Sequence, residues 1–199
     1  MLLNDLRLKI LEEFVSDYSA MLTGSFIAKK KALNQKSVAN ALLELEREGF
    51  LKSKTYGKNR QFFLNFADLE MVINLLSAAE HLRTIKFYKK NPLAKEVISK
   101  IIPLCSGIVM IFGSYAKGLQ RKDSDLDVFV MGRCNEKQIQ KISEAYRLEI
   151  NVKKYPEEYF KRLESRKDIL LKEVIRNHII VSDVQHFVVN LARFYYGKD

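Results

Sequence analysis

Two carboxylates one residue apart, Asp125 and Asp127, stand at the entry of an apolar run from Leu126 to Met131. Side chains at i and i+2 of a strand leave the same face, so this pair is expected side by side. At about 5 Å and an effective dielectric near 20, two such charges repel by roughly 3 kcal/mol. A divalent cation between them relieves that repulsion. Gly113-Ser114 lies ten intervening residues upstream, where another apolar run, Ile108 to Phe112, stops. Backbone N–H groups of such a turn, with the Ser114 hydroxyl, suit a phosphate. Together these residues point to metal-assisted transfer of a nucleotide.

The elements that must position them follow from periodicity and punctuation. The apolar run predicts a buried strand over 108–112, feeding the Gly-Ser turn and a short helix; a second strand covers 125–131. Helices are expected over 93–102 and 136–146 and a strand over 148–154. Helical stretches follow near 156–163 and 168–177, then a short run 178–181 and a last helix over 183–196. Strands alternating with helices give an α/β sheet domain.

This half of the chain resembles the nucleotidyltransferases of the DNA polymerase β superfamily, specifically the minimal nucleotidyltransferases. The likeness rests on Gly113-Ser114, Ala116-Lys117-Gly118, Ser124-Asp125-Leu126-Asp127 and the strand that follows. It implies that Asp125 and Asp127 are catalytic ligands of Mg²⁺, with a two-metal site as one form, and that ATP or another nucleoside triphosphate is the substrate. Gly113, Ser114 and Lys117 then contact the nucleotide's phosphates. The family's third carboxylate belongs on the next strand, where this sequence has Asn151. Asparagine can offer a metal an oxygen but takes no proton at neutral pH. Glu149, two residues earlier on the same strand face, is the candidate substitute.

Upstream, residues 4–17 carry Leu6, Ile10, Leu11 and Phe14 at helical spacing. A second helix fits 25–33. Asn34 caps a third over 35–48, closed by Gly49, with Val38, Leu42 and Leu45 as its core face. Two strand-like runs, 50–56 and 60–65, flank Gly57-Lys58-Asn59 as a hairpin. Three helices and a basic hairpin resemble the winged helix-turn-helix family over residues 1–66. That likeness implies double-stranded DNA as partner. Gln35, Lys36, Ser37 and Asn40 face base edges or phosphates, and Lys52, Lys54, Lys58 and Arg60 meet the backbone along the wing. Asp68 caps a long helix, about 69–89, with Leu69, Val72, Ile73, Leu76 and Ala79 as an apolar stripe; it ends ahead of Asn91-Pro92. The expected organisation is a winged-helix domain (1–66), a linking helix (67–91) and a mixed-sheet nucleotidyltransferase domain (92–199), an α/β (α+β) chain.

Composition agrees with this reading. The 199 residues are 47% hydrophobic and 29% charged, with net charge +10, which favours polyanionic partners. No apolar stretch reaches the ~20 residues of a membrane span. Charges at Asp5 and Arg7 come too early for a secretory signal, so a cytoplasmic protein without membrane contact is expected. Cys105 and Cys134 lack metal-ligand spacing and read as reduced thiols; His81, His178 and His186 read as structural.

Three functions fit. The first is a transferase moving AMP from ATP to a hydroxyl of a protein or small molecule; here the resemblance also implies a HEPN-domain toxin as partner, in an antitoxin-type regulator. The second is a transcription regulator whose nucleotidyltransferase-like domain binds nucleotide without turnover. In the third, the winged helix is a scaffold for an enzyme acting on nucleic-acid ends. A homodimer is expected, since winged-helix proteins commonly pair on two half-sites.

Overall fold

A computed structural model describes residues 4–156, 158 and 169–196. The helix expected near 156–163 lies outside the described residues but for Pro156 and Glu158. The chain divides into two compact units: the chain up to Ala79 together with Leu191 onward, and Glu80–Asn190.

In the first unit, α1 (Asp5–Ser16) starts at Asn4, whose side chain accepts the Arg7 N–H at 2.9 Å. A two-residue strand, β1 (Leu22–Thr23), which the sequence did not announce, precedes α2 (Gly24–Lys31). Asn34 caps α3 (Gln35–Arg47) by accepting from the Ser37 N–H at 3.0 Å, as expected, and Gly49 turns the chain at φ +84°. The hairpin is β2 (Leu51–Tyr56) and β3 (Asn59–Leu64), joined at Gly57-Lys58, and the sheet order is β1-β3-β2, all antiparallel. Val38, Leu42 and Leu45 are fully buried with Ile10, Leu11 and Phe14. A helical trio closed by a hairpin wing is the winged helix-turn-helix architecture.

Ion pairs tie the trio together. Arg7 is buried and reaches Glu44 at 2.7 Å and Glu48 at 2.9 Å, both belonging to the third helix region. Lys30 and Lys31 reach Glu13 and Glu12 of α1.

The long helix, α4 (Leu69–Lys90), is capped by Asp68, whose carboxylate accepts the Met71 N–H at 3.0 Å. Val72, Ile73, Leu76 and Ala79 are buried. Leu69, expected in the same stripe, is exposed at the first position of the helix.

In the second unit, Pro92 opens α5 (Pro92–Ile101), and a short 3₁₀ turn leads to β4 (Cys105–Ile111). Then come α6 (Gly113–Lys117), β5 (Leu126–Cys134), α7 (Glu136–Tyr146), β6 (Ile150–Tyr155), α8 (Ile169–Arg176), β7 (Ile179–Ser182) and α9 (Val184–Tyr196). The sheet order is β6-β5-β4-β7, with β5 and β6 parallel and the other pairs antiparallel. One face packs Val109, Ile111, Leu126, Val128 and Val130 against Val97, Ile98 and Ile139 of α5 and α7.

A buried polar cluster fixes β7. His178 gives Nε2 to Glu80 at 3.0 Å, Arg83 reaches Glu80 at 2.9 Å and the His178 carbonyl at 2.8 Å, and Thr84 donates to the Ile180 carbonyl at 2.6 Å. His178 is therefore structural, as its sequence setting implied. Burial opposes ionisation of Glu80, but Arg83 and His178 more than offset it and hold its carboxyl below the ordinary range.

Candidate functional site

Asp125 ends the loop before β5 and Asp127 is its second residue, so the same-face geometry is realised by the strand. The ladder pins both: the Leu126 N–H donates to the Glu149 carbonyl at 2.8 Å, and the Phe112 N–H to the Asp127 carbonyl at 3.1 Å. Burial, and next the Asp125 charge, raise the Asp127 carboxyl above its ordinary value; Asn151 and Lys153 partly counter this.

Gly113 is the close approach. At φ +68°, a Cβ placed on it would lie 2.1 Å from Asp127 Oδ2. Only glycine lets the turn sit on that carboxylate. Ser114 and Lys117 follow in the five-residue α6, which Gly118 closes in the left-handed region, its N–H donating to the Tyr115 carbonyl at 3.2 Å. The Ser114 hydroxyl has no partner among the described residues. The loop beyond is braced at Arg121 and Ser124, whose backbone and side chain exchange bonds of 2.7 and 3.1 Å.

Asn151 pairs with Asp127 in the parallel β5–β6 register, and its Nδ2 donates to Asp125 Oδ2 at 3.1 Å. The residue in the third-carboxylate position is thus at the pair, acting as a donor. Glu149 is not: its side chain is exposed and makes no hydrogen bond or ion pair among the described residues, and only its backbone carbonyl serves the ladder. Sequence reasoning missed Glu173. From α8 it holds Lys117 at 2.5 Å, and its charge also raises the Asp127 carboxyl. A glutamate on a distant helix carries no local signal.

Two carboxylates beside a Gly-Ser turn fit a divalent cation shared with a phosphate, since such ions take one or two carboxylates plus substrate oxygens and water. Among the described residues no cluster of three or more His, Cys, Asp or Glu is arranged for a metal. The residues that could offer a cation oxygens at this point are Asp125, Asp127 and, through its amide oxygen, Asn151.

On the first unit, Gln35, Lys36, Ser37 and Asn40 are all exposed along the start of α3, and Lys52, Lys54 and Lys58 along the hairpin. Lys54 lies over the Tyr56 ring at 5.3 Å. Arg60 differs: it bonds Glu46 of α3 at 2.5 Å and Ser53 at 2.8 Å, so it ties the wing to the helix. The acids of α1 and of the α3 region are answered by Arg7, Lys9, Lys30, Lys31 and Arg60, whereas Lys36, Lys52, Lys54 and Lys58 have no ion pair among the described residues.

A strand, a Gly-Ser turn and a paired-aspartate strand in a mixed sheet define the nucleotidyltransferase class of domain. Residues 92–186 match the family model described as nucleotidyltransferase domain. No curated protein sequence matches the chain. Among solved structures, it is similar to MepR, a transcription regulator of the Staphylococcus aureus multidrug efflux pump MepA, at 17% identity over 49% of this chain and 76% of that one, with a TM-score of 0.36. It is also similar to a toxin-antitoxin structure with AMP-PNP, at 17% identity over 54% and 89%, with a TM-score of 0.34. Likeness at that level does not define a fold; the assignment rests on the family match and on the chain's own topology. No helix among the described residues is long and apolar enough to cross a membrane.

Proposed function

We propose that the protein is a Mg²⁺-dependent nucleotidyltransferase that moves AMP from ATP to a hydroxyl of a protein or small molecule, and that its winged helix binds double-stranded DNA. The observation that carries the reading is Gly113 packed on Asp127, with Asp125 beside it and Asn151 bridging. When bound, a magnesium ion would neutralise charge on the phosphates and on the acceptor oxygen. Asp125 and Asp127 hold the ion's place, and the Gly113-Ser114 turn orients the phosphates. Lys117 adds positive charge once it leaves Glu173. Asn151 cannot take the acceptor's proton, so that proton goes to an aspartate or to water.

A second reading is favoured by the same Asn151: a domain that binds nucleotide without turnover and reports it through the winged helix. The exposed lysines of wing and α3, which have no ion pair among the described residues, support DNA as partner on either reading. A homodimer on two DNA half-sites and a cytoplasmic location stand as proposals on either reading, and a HEPN-domain toxin as partner or acceptor belongs to the first.

The test is labelled ATP with Mg²⁺ and cell extract. Label should move to an acceptor, and Asp125→Asn should abolish the transfer while leaving the fold intact by circular dichroism. ATP binding without any labelled product selects the second reading, and absence of both binding and label refutes the first.

A further inference from the structure

Cys105 and Cys134, twenty-nine positions apart in sequence, are partners in the β4–β5 register. The Asn135 N–H donates to the Leu104 carbonyl at 3.0 Å, so the 104/135 rung is a hydrogen-bonded pair and the next rung, 105/134, is a non-hydrogen-bonded one. Antiparallel ladders alternate in this way, and the second kind brings Cα atoms to about 4.5 Å, within the range of about 4.4–6.8 Å that a disulfide spans. Each thiol lies near enough to shift the other's ionisation, and both cysteines are free.

Their surroundings leave the pair reachable. The next rung on the same sheet face, two along the ladder, is Gly107 opposite Gly132, with φ +88° and +144°, and a Cβ on either would meet a backbone oxygen at 2.3 or 2.1 Å. That rung therefore presents no side chain beside the sulfurs. Clefts of about 580 and 970 Å³ border the pair, Cys134 lining both and Cys105 the smaller. Neither cysteine is fully buried.

We propose that Cys105 and Cys134 are a redox modification site: a dithiol that a hydroperoxide converts to an intramolecular disulfide joining the ends of β4 and β5. In the first step one sulfur takes the terminal oxygen of the hydroperoxide, whose O–O bond breaks and whose other fragment leaves as alcohol or water. In the second the other sulfur displaces that oxygen as water and the S–S bond forms. Two thiols lose two electrons and two protons; the O–O bond takes both electrons, and the protons end on the two oxygen products.

Burial pushes the Cys105 thiol up to about 11 and raises Cys134 as well, with Lys154 pulling Cys134 back. Cys134 is the sulfur that attacks first, and both groups are thiols at neutral pH, so the resting state is reduced. The closed loop would contain Gly113, Ser114, Lys117, Asp125 and Asp127, with Asn151 reaching the pair from β6 outside it.

The test treats the full chain, under native conditions, with hydrogen peroxide. The expected product is a monomer lighter by two hydrogens, in which a non-reducing peptide map links the Cys105 and Cys134 peptides and dithiothreitol restores the starting mass. Phenylarsine oxide, which needs two thiols within reach of one arsenic, should protect both cysteines of the reduced chain at one equivalent. Cys105→Ser and Cys134→Ser should each lose that protection and stop at a singly oxidised sulfur. Independent overoxidation of the two sulfurs in the parent chain, or a disulfide only between chains, overturns the proposal. So does equal arsenical protection in the single variants.

Discussion

Gly113→Ala should damage the second unit in a way that Gly118→Ala does not. Both glycines have φ +68°, so alanine at either forces a side chain into the left-handed region, at about 1–2 kcal/mol. At Gly118 the added methyl meets nothing within 4 Å, and that backbone term is the whole effect. At Gly113 the Cβ would stand 2.1 Å from Asp127 Oδ2, a distance no real Cβ keeps, so the carboxylate or the turn must move. Overpacking of that kind adds about 1–3 kcal/mol. The total for Gly113→Ala is then about 2–5 kcal/mol, with the excess over Gly118→Ala reporting the carboxylate contact alone. Native-state hydrogen exchange of the β4 and β5 amides reads the stability of this unit separately from the other. Calorimetry with Mg²⁺ reads the displacement of Asp127, where Gly113→Ala should weaken uptake and Gly118→Ala should leave it unchanged. Equal exchange rates in the two variants would refute the close approach on which the site is built.

Glu80→Gln should destabilise the second unit by about 3–5 kcal/mol at neutral pH, because it leaves Arg83 and His178 without their buried carboxylate. The Glu80 carboxyl lies below its ordinary value in the folded state, so its stabilisation is complete above the ordinary carboxylate range and fades as pH falls towards the lowered one. Urea midpoints of parent and variant should therefore converge in acid; a gap that widens there contradicts the assignment. Asn151→Asp would set a third carboxylate against Asp125 in place of a donated hydrogen bond, and its stability should fall by about 1–3 kcal/mol in chelator and recover with excess Mg²⁺. Recovery absent at saturating metal would mean that no cation is held there. Lys54→Ala should weaken binding to duplex DNA alike across sequences and reduce the salt slope by about one. Arg60→Ala should weaken it further in a fluorescence titration, since it also frees Glu46 from its partner; an effect smaller than that of Lys54→Ala counts against the wing geometry.

What was legible in the sequence was local. The paired aspartates and their strand, the Gly-Ser turn, the capped third helix and the hairpin around Gly57 all announce themselves through spacing or punctuation. Strand ends did not: β4 begins at Cys105, ahead of the apolar run, and β5 continues to Cys134, beyond Met131. Gly107 and Gly132 break both runs as patterns, yet they face each other, and this lets the ladder continue through them. Strand β1 is two residues long and has no period to read. Glu173 and the Cys105–Cys134 pair depend on which segments the fold brings together, a property of register and topology that no window of sequence contains.

Asn151 bears most directly on what the site does. Its amide donates to Asp125 while its neighbour in register is Asp127, so part of the repulsion between the two acids is relieved by the protein itself. A third acid there would add charge that only cations could balance, and the geometry would depend on metal for its assembly. On the proposed function, asparagine would hold the carboxylates together before any ion or nucleotide arrived, and the first ion would find its ligands already paired. That arrangement gives up a resident proton acceptor and gains a preformed binding site. Lys117 held by Glu173 fits the same logic, since an incoming triphosphate must compete for a lysine already engaged, and binding then changes contacts between α6 and α8. On the proposed function, nucleotide occupancy would thereby be coupled to the contact between α6 and α8, whether or not transfer follows.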